Sequence, residues 1–71
     1  MDRNKMKAIR LFFGESQAAF ARRLGVAATT INEIERGKRE MSDLIKAKLI
    51  RLENELPDEF FNFYVKLRKI S

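Results

Sequence analysis

The side chains available for chemistry in this chain are of a restricted kind. There is no cysteine and no histidine, which removes disulfides, the common zinc sites and the usual nucleophile–base pairs. No glycine-rich phosphate loop is present, and the carboxylates are scattered along the chain. They sit at the ends of helical segments and on polar faces, so no nucleophile, base and orienting group come together. An enzyme is therefore not expected, nor is a metal, a cofactor or a small-molecule ligand. What remains is charge. The formal net charge is +5. Residues 1–39 carry nine Lys/Arg against four Asp/Glu, and residues 40–71 carry six of each, so the whole excess lies in the first half. Such an asymmetry marks a surface suited to a polyanion. Charge alone leaves nucleic acid and a merely solvated basic surface both open.

Seventy-one residues make one domain, which buries only about 60% of its unfolded surface and needs support. With disulfides and zinc excluded, oligomerisation is the remaining support. No apolar run approaches the roughly 20 residues of a membrane span, and Met1-Asp2-Arg3-Asn4-Lys5 leads into no apolar segment of the signal-peptide type. The lack of cysteine fits a reducing compartment. A cytoplasmic protein is expected.

The elements that must position any functional surface are helical. Met6, Ile9 and Phe13 share one face of a first helix over 4–13, which Gly14 ends. Ser16 is an N-cap for a second helix through Phe20, Ala21 and Leu24, stopped by Gly25. Only Val26 and Ala27 precede a third helix carrying Thr30, Ile31, Ile34 and Glu35, stopped by Gly37. Ser42 caps a fourth helix over 42–55, with Met41, Ile45, Leu49, Leu52 and Leu56 within about 80° on one face. Pro57 is expected in the first turn of a fifth helix over 57–70, where its missing N–H costs nothing, and Asp58 and Glu59 favour that N-terminus. No segment alternates with period two, so no strand is expected. The fold class is all-α, a compact five-helix domain.

Two helices joined by a very short glycine-containing turn have few packing solutions, one of which is the DNA-binding helix-turn-helix. An ordinary helical hairpin is the alternative. From Gln17 to Arg36 the constrained positions agree: Ala21 is small where the third helix crosses, Gly25 opens the turn, and Phe20, Leu24, Val26, Ile31 and Ile34 are apolar.

This stretch resembles the helix-turn-helix family of lambdoid phage repressors and Cro proteins over roughly residues 6–39. The matching residues are Gln17-Ala18-Ala19-Phe20-Ala21, Leu24-Gly25-Val26, Ile31 and Ile34-Glu35-Arg36-Gly37-Lys38. The resemblance implies that the third helix lies in the major groove with its N-terminal residues on base edges. Ala28 and Thr29 then face bases, their methyl groups suited to thymine, and Asn32 and Glu33 lie one turn further along. Asn32 suits adenine or a phosphate; Glu33 suits a cytosine amino group or is a solvated helix charge. Gln17 takes the family's phosphate-anchoring position, with its backbone N–H free at a helix N-terminus. Arg36, Lys38 and Arg39 hold the backbone on the other side. Arg22 and Arg23 lie on the outer part of the second helix and are expected on solvated surface; the alternative is a part in attracting DNA at long range.

The resemblance also implies an ion pair between Arg10 of the first helix and Glu35 at the end of the third. Two departures from the family pattern stand out. Glu15 occupies a position that is commonly apolar, and Ala27 stands where an N-cap hydroxyl is usual, so the third helix starts uncapped at a cost of about 1 kcal/mol.

In the fifth helix Ile70, Phe63, Leu67, Phe60 and Tyr64 span about 120°, enough to dock on a core. Phe61 and Val65 lie beyond that stripe and suggest a dimer or partner contact; deeper burial of the helix is the alternative. The family implies two-fold dimers on palindromic half-sites about 10 bp apart. The expected function is thus a sequence-specific transcriptional repressor of phage or mobile-element type, a homodimer on double-stranded DNA. The alternatives are an antitoxin gripping a toxin through its last helix, or an interaction module that binds no DNA.

Overall fold

The computed structural model describes residues 1–70, and among them the only regular elements are five helices: α1 (Arg3–Phe12), α2 (Gln17–Leu24), α3 (Ala28–Glu35), α4 (Asp43–Glu55) and α5 (Glu59–Ile70). Their ends follow from local side-chain chemistry. The carboxylate of Asp2 accepts the Lys5 N–H, Ser16 Oγ accepts that of Ala19, and Ser42 Oγ accepts that of Ile45. Each cap satisfies an N–H group that the first helical turn cannot. Gly25 closes α2 at φ +73°, with Val26 N–H returning to the Ala21 carbonyl. The left-handed backbone there is the reason for glycine.

The α5 boundary differs from expectation. Pro57 lies two residues before the helix, not in its first turn. The carbonyls of Pro57 and Asp58 accept the N–H groups of Phe60 and Phe61, so a single turn leads into the helix proper. The ring still removes an N–H that no helical carbonyl would have met.

One core joins the helices. Met6, Ala8, Ile9, Phe20, Ala21, Leu24, Ile31, Ile34, Ile45, Leu49 and Phe60 are buried. α2 packs most closely on α3, with Ala21 at 2% exposure in the crossing. The α5 stripe docks on α1 through an aromatic cluster: the Phe12 ring meets Phe60 and Phe63 edge-on at 5.4 and 5.5 Å, and Tyr64 stacks on Phe60. Such contacts add to the burial of large apolar surface. Ile70 departs from the docking stripe and is 83% exposed. α5 carries it past Leu67, the last of its side chains packed on the core. No helix among the described residues is long and apolar enough to cross a membrane.

Candidate nucleic-acid interface

Ala21 and Gly25 set α3 against α2 so that Ile31 and Ile34 face inward. The opposite consequence is that Ala28 and Thr29 are fully on the surface at the start of α3, with Asn32 and Glu33 half-buried one turn on. Ala27 precedes them without any side-chain cap. The first N–H groups of α3 are therefore left for solvent or a ligand.

A chain of polar contacts runs behind this face. Arg10 Nε and Nη2 donate to Glu35 Oε2 and Oε1 at 2.7 and 3.0 Å, a side-on bidentate pair. Arg10 Nη1 also donates to the Glu15 carbonyl at 2.9 Å. Glu35 Oε1 accepts a further hydrogen bond from the Gln17 side-chain amide at 3.1 Å, and Gln17 Oε1 in turn accepts from Asn32 Nδ2 at 3.1 Å. Four side chains from three helices are thus linked, from the inner face of α1 to the outer face of α3. The Gln17 side chain is occupied within the protein, which leaves its backbone N–H at the α2 N-terminus as the group available to an anion. The Gln17–Glu35 and Gln17–Asn32 links carry no sequence signal, because each joins residues on different helices.

The basic residues divide into engaged and exposed. Arg36, Lys38 and Arg39 follow α3 on the surface. Arg39 is shared with Glu33: its Nε donates to Glu33 Oε1 at 3.1 Å, and its Nη2 lies 2.9 Å from the same oxygen in an ion pair. The carboxylate on the α3 face is thereby offset by a cation of its own loop. Arg23 lies on the exposed surface, as expected, and is engaged there: it donates twice to Glu15 at 3.0 Å, and its guanidinium lies 4.2 Å above the Phe13 ring. The hydrogen bonds from Arg23 hold the Glu15 carboxyl below its ordinary range, and raise Arg23 in turn. This pair accounts for a carboxylate at a position where an apolar residue is common. Lys48 was not singled out from sequence. Its ammonium donates to the Leu24 carbonyl at 2.7 Å, tying α4 to the end of α2.

Phe61 is 69% exposed on α5, while Val65 is half-buried beside it. Among the described residues no cluster of acidic side chains has the makings of a metal site.

The arrangement is a short helix with small and amide side chains at its exposed start, a free helix N-terminus beside it, and a cationic loop after it. That is the equipment for phosphate positioning and base-edge contact. A model of the helix-turn-helix family matches residues 6–52. No curated protein and no solved structure matches the chain.

Proposed function

We propose, from the premise that this chain belongs to the Cro-type helix-turn-helix family of DNA-binding regulators, that it is a sequence-specific transcriptional repressor of phage or mobile-element type. It acts in the cytoplasm as a homodimer on a palindromic operator. The observation that carries DNA recognition is the exposed start of α3 with Arg36, Lys38 and Arg39 after it. Ala28 and Thr29 meet base edges, with thymine methyls as their natural partners. Asn32 and Glu33 read or flank the next bases. The Gln17 backbone N–H fixes one phosphate strand, and Arg36, Lys38 and Arg39 the other. The Arg10–Glu35 pair serves as the fixed point from which Gln17 and Asn32 are oriented. Ala28 and Thr29 offer few hydrogen bonds, so affinity rests mainly on phosphates and discrimination on methyl contacts and DNA shape.

Support for the dimer is Phe61, an aromatic ring 69% exposed on α5. Together with Val65 it forms the partner contact.

Selection of bound sequences from a random DNA pool tests the whole reading. A palindrome with half-sites about 10 bp apart supports the dimeric repressor. A single unrepeated site removes the dimer, and failure to enrich any sequence removes sequence-specific recognition.

A further inference from the structure

We infer that Arg3, the first residue of α1, is a further phosphate-contacting residue of the DNA interface, seated on the loop that follows α3. The inference rests on the DNA-binding reading above and adds to it a group from a different helix. Its starting point is Gly37. This residue has φ +76°, and a Cβ built on it would collide with the Arg3 guanidinium. The head of Arg3 therefore fills the space that any side chain at position 37 would need. A residue far away in sequence is brought between Arg36 and Lys38, the cations expected on phosphates. Glycine serves two ends here: it accepts the left-handed backbone, and it leaves the cradle open.

The fold gives Arg3 no other evident task. Arg3 has no hydrogen-bond or ion-pair partner among the described residues, and it is exposed. Its position also works against it. A cation in the first turn of a helix opposes the partial positive charge of the helix N-terminus, and α1 has no acidic side chain in that turn to compensate. Asp2, the N-cap, spends its carboxylate on the Lys5 N–H. An arginine placed where helix electrostatics disfavour it, with its guanidinium lodged on a cationic loop, is poised for an external anion. The planar fork of a guanidinium suits a phosphate in two-point contact. With Arg39 partly engaged by Glu33, Arg3 restores the cationic strength of that edge.

The experiment compares the wild type with Arg3→Gln and Arg3→Lys. Each is titrated by fluorescence anisotropy against the duplex enriched by selection and against a random-sequence duplex, from 50 to 200 mM salt, with thermal melting of the free proteins alongside. Loss of one phosphate contact makes the salt slope shallower by about 0.9, so Arg3→Gln loses about threefold less affinity across that range than the wild type. Its binding is weaker at low salt by a similar factor on both duplexes, its melting temperature is unchanged, and Arg3→Lys keeps the wild-type slope. An Arg3→Gln protein with the wild-type slope on DNA that the wild type binds overturns the inference. So does a lowered melting temperature with an unchanged slope, which assigns Arg3 to packing on Gly37. A wild type that binds neither duplex overturns the DNA-binding reading itself, which is a different result.

Discussion

Arg10 meets Glu35 side-on, with Nε and Nη2 each within 3.0 Å of a separate carboxylate oxygen, and both side chains are nearly buried, at 12% and 5% exposure. The same guanidinium holds the carbonyl of Glu15. One side chain of α1 thus fixes the turn into α2 and the end of α3 together. The geometry satisfies the condition under which a desolvated pair survives: two parallel charge-assisted bonds, with the remaining donors and acceptors engaged.

Breaking this pair is costly in stability. In Glu35→Gln the arginine loses its counter-charge while staying under the same apolar cover, at a cost of about 3–5 kcal/mol. For a domain of this size that lowers the melting temperature by more than about 10 °C. Urea unfolding followed by circular dichroism measures it. An unchanged midpoint would show that the pair contributes nothing. Replacing both partners, as Arg10→Met with Glu35→Leu, is expected to recover most of the lost stability because no unpaired charge remains.

Gln17 separates stability from recognition. Its amide links Glu35 to Asn32 through two hydrogen bonds, both near the surface end of the chain of contacts. Gln17→Ala removes the side chain and leaves the backbone N–H in place. Each bond contributes about 0.5–1.5 kcal/mol, and solvent reaches Asn32 to replace part of it. A stability loss of about 1 kcal/mol is expected. DNA affinity falls further, about tenfold, because Asn32 is no longer held in position. Paired melting and DNA-titration curves decide this. Full affinity in Gln17→Ala, beside a weakened Asn32→Ala, would mean that Asn32 needs no support.

How far the sequence carries the structure depends on the range of the interaction concerned. Ser16, Gly25 and Ser42 mark helix ends because capping acts within three or four residues, where side-chain type is nearly sufficient. The buried faces of α2, α3 and α4 follow from apolar spacing for the same reason. Pro57 shows the limit of such rules. A proline is equally at home in the turn before a helix and in its first turn, and here the turn comes first. Ile70 lies on the correct face of α5 but beyond the body of the domain, and helical phase holds no information on where the neighbouring helix ends. A helical wheel puts Arg23 on the exposed face, where it is, but holds no sign of its partners, because Glu15 and Phe13 precede the helix. The Gln17–Asn32 link joins two helices, and no single-helix pattern contains it.

Glu15 makes part of the stability depend on pH. Hydrogen bonds from Arg23 lower its pKa below the ordinary 4.5. A carboxyl lowered in the folded state contributes stability that is present above its unfolded pKa and lost as pH falls through the folded value. The window therefore opens near pH 4.5 and extends downward. Arg23 is 39% exposed and solvent screens the pair, so the contribution is about 0.2–1 kcal/mol. Melting temperatures of wild type and Glu15→Gln at pH 7 and at pH 3 are expected to differ at the first and converge at the second. A gap that persists unchanged at pH 3 would place the effect in packing on Phe13, not in the charge.

On the proposed DNA-binding reading, Glu33 is expected to set how strongly the α3 face is drawn to DNA of any sequence. Its Oε1 accepts a hydrogen bond from Arg39 Nε and pairs with Nη2 at 2.9 Å, and both side chains are about half exposed, at 43% and 54%. On the proposed duplex Arg39 would have two competing acceptors, Glu33 and a phosphate, while Glu33 itself would be repelled by phosphates unless it accepted from a cytosine amino group. Glu33→Gln removes the competitor and the repulsion together. Affinity for a random duplex is expected to rise several-fold, and the salt slope to steepen by up to about 0.9 as Arg39 becomes fully available to a phosphate. At a base pair that Glu33 reads as cytosine, preference moves toward adenine, the natural partner of a glutamine amide. Titration against random and selected duplexes, with that one pair varied, measures both effects. If Glu33→Gln leaves affinity and slope on random DNA unchanged, the Glu33–Arg39 pair lies outside the protein–DNA contact, and that strand is held without Arg39.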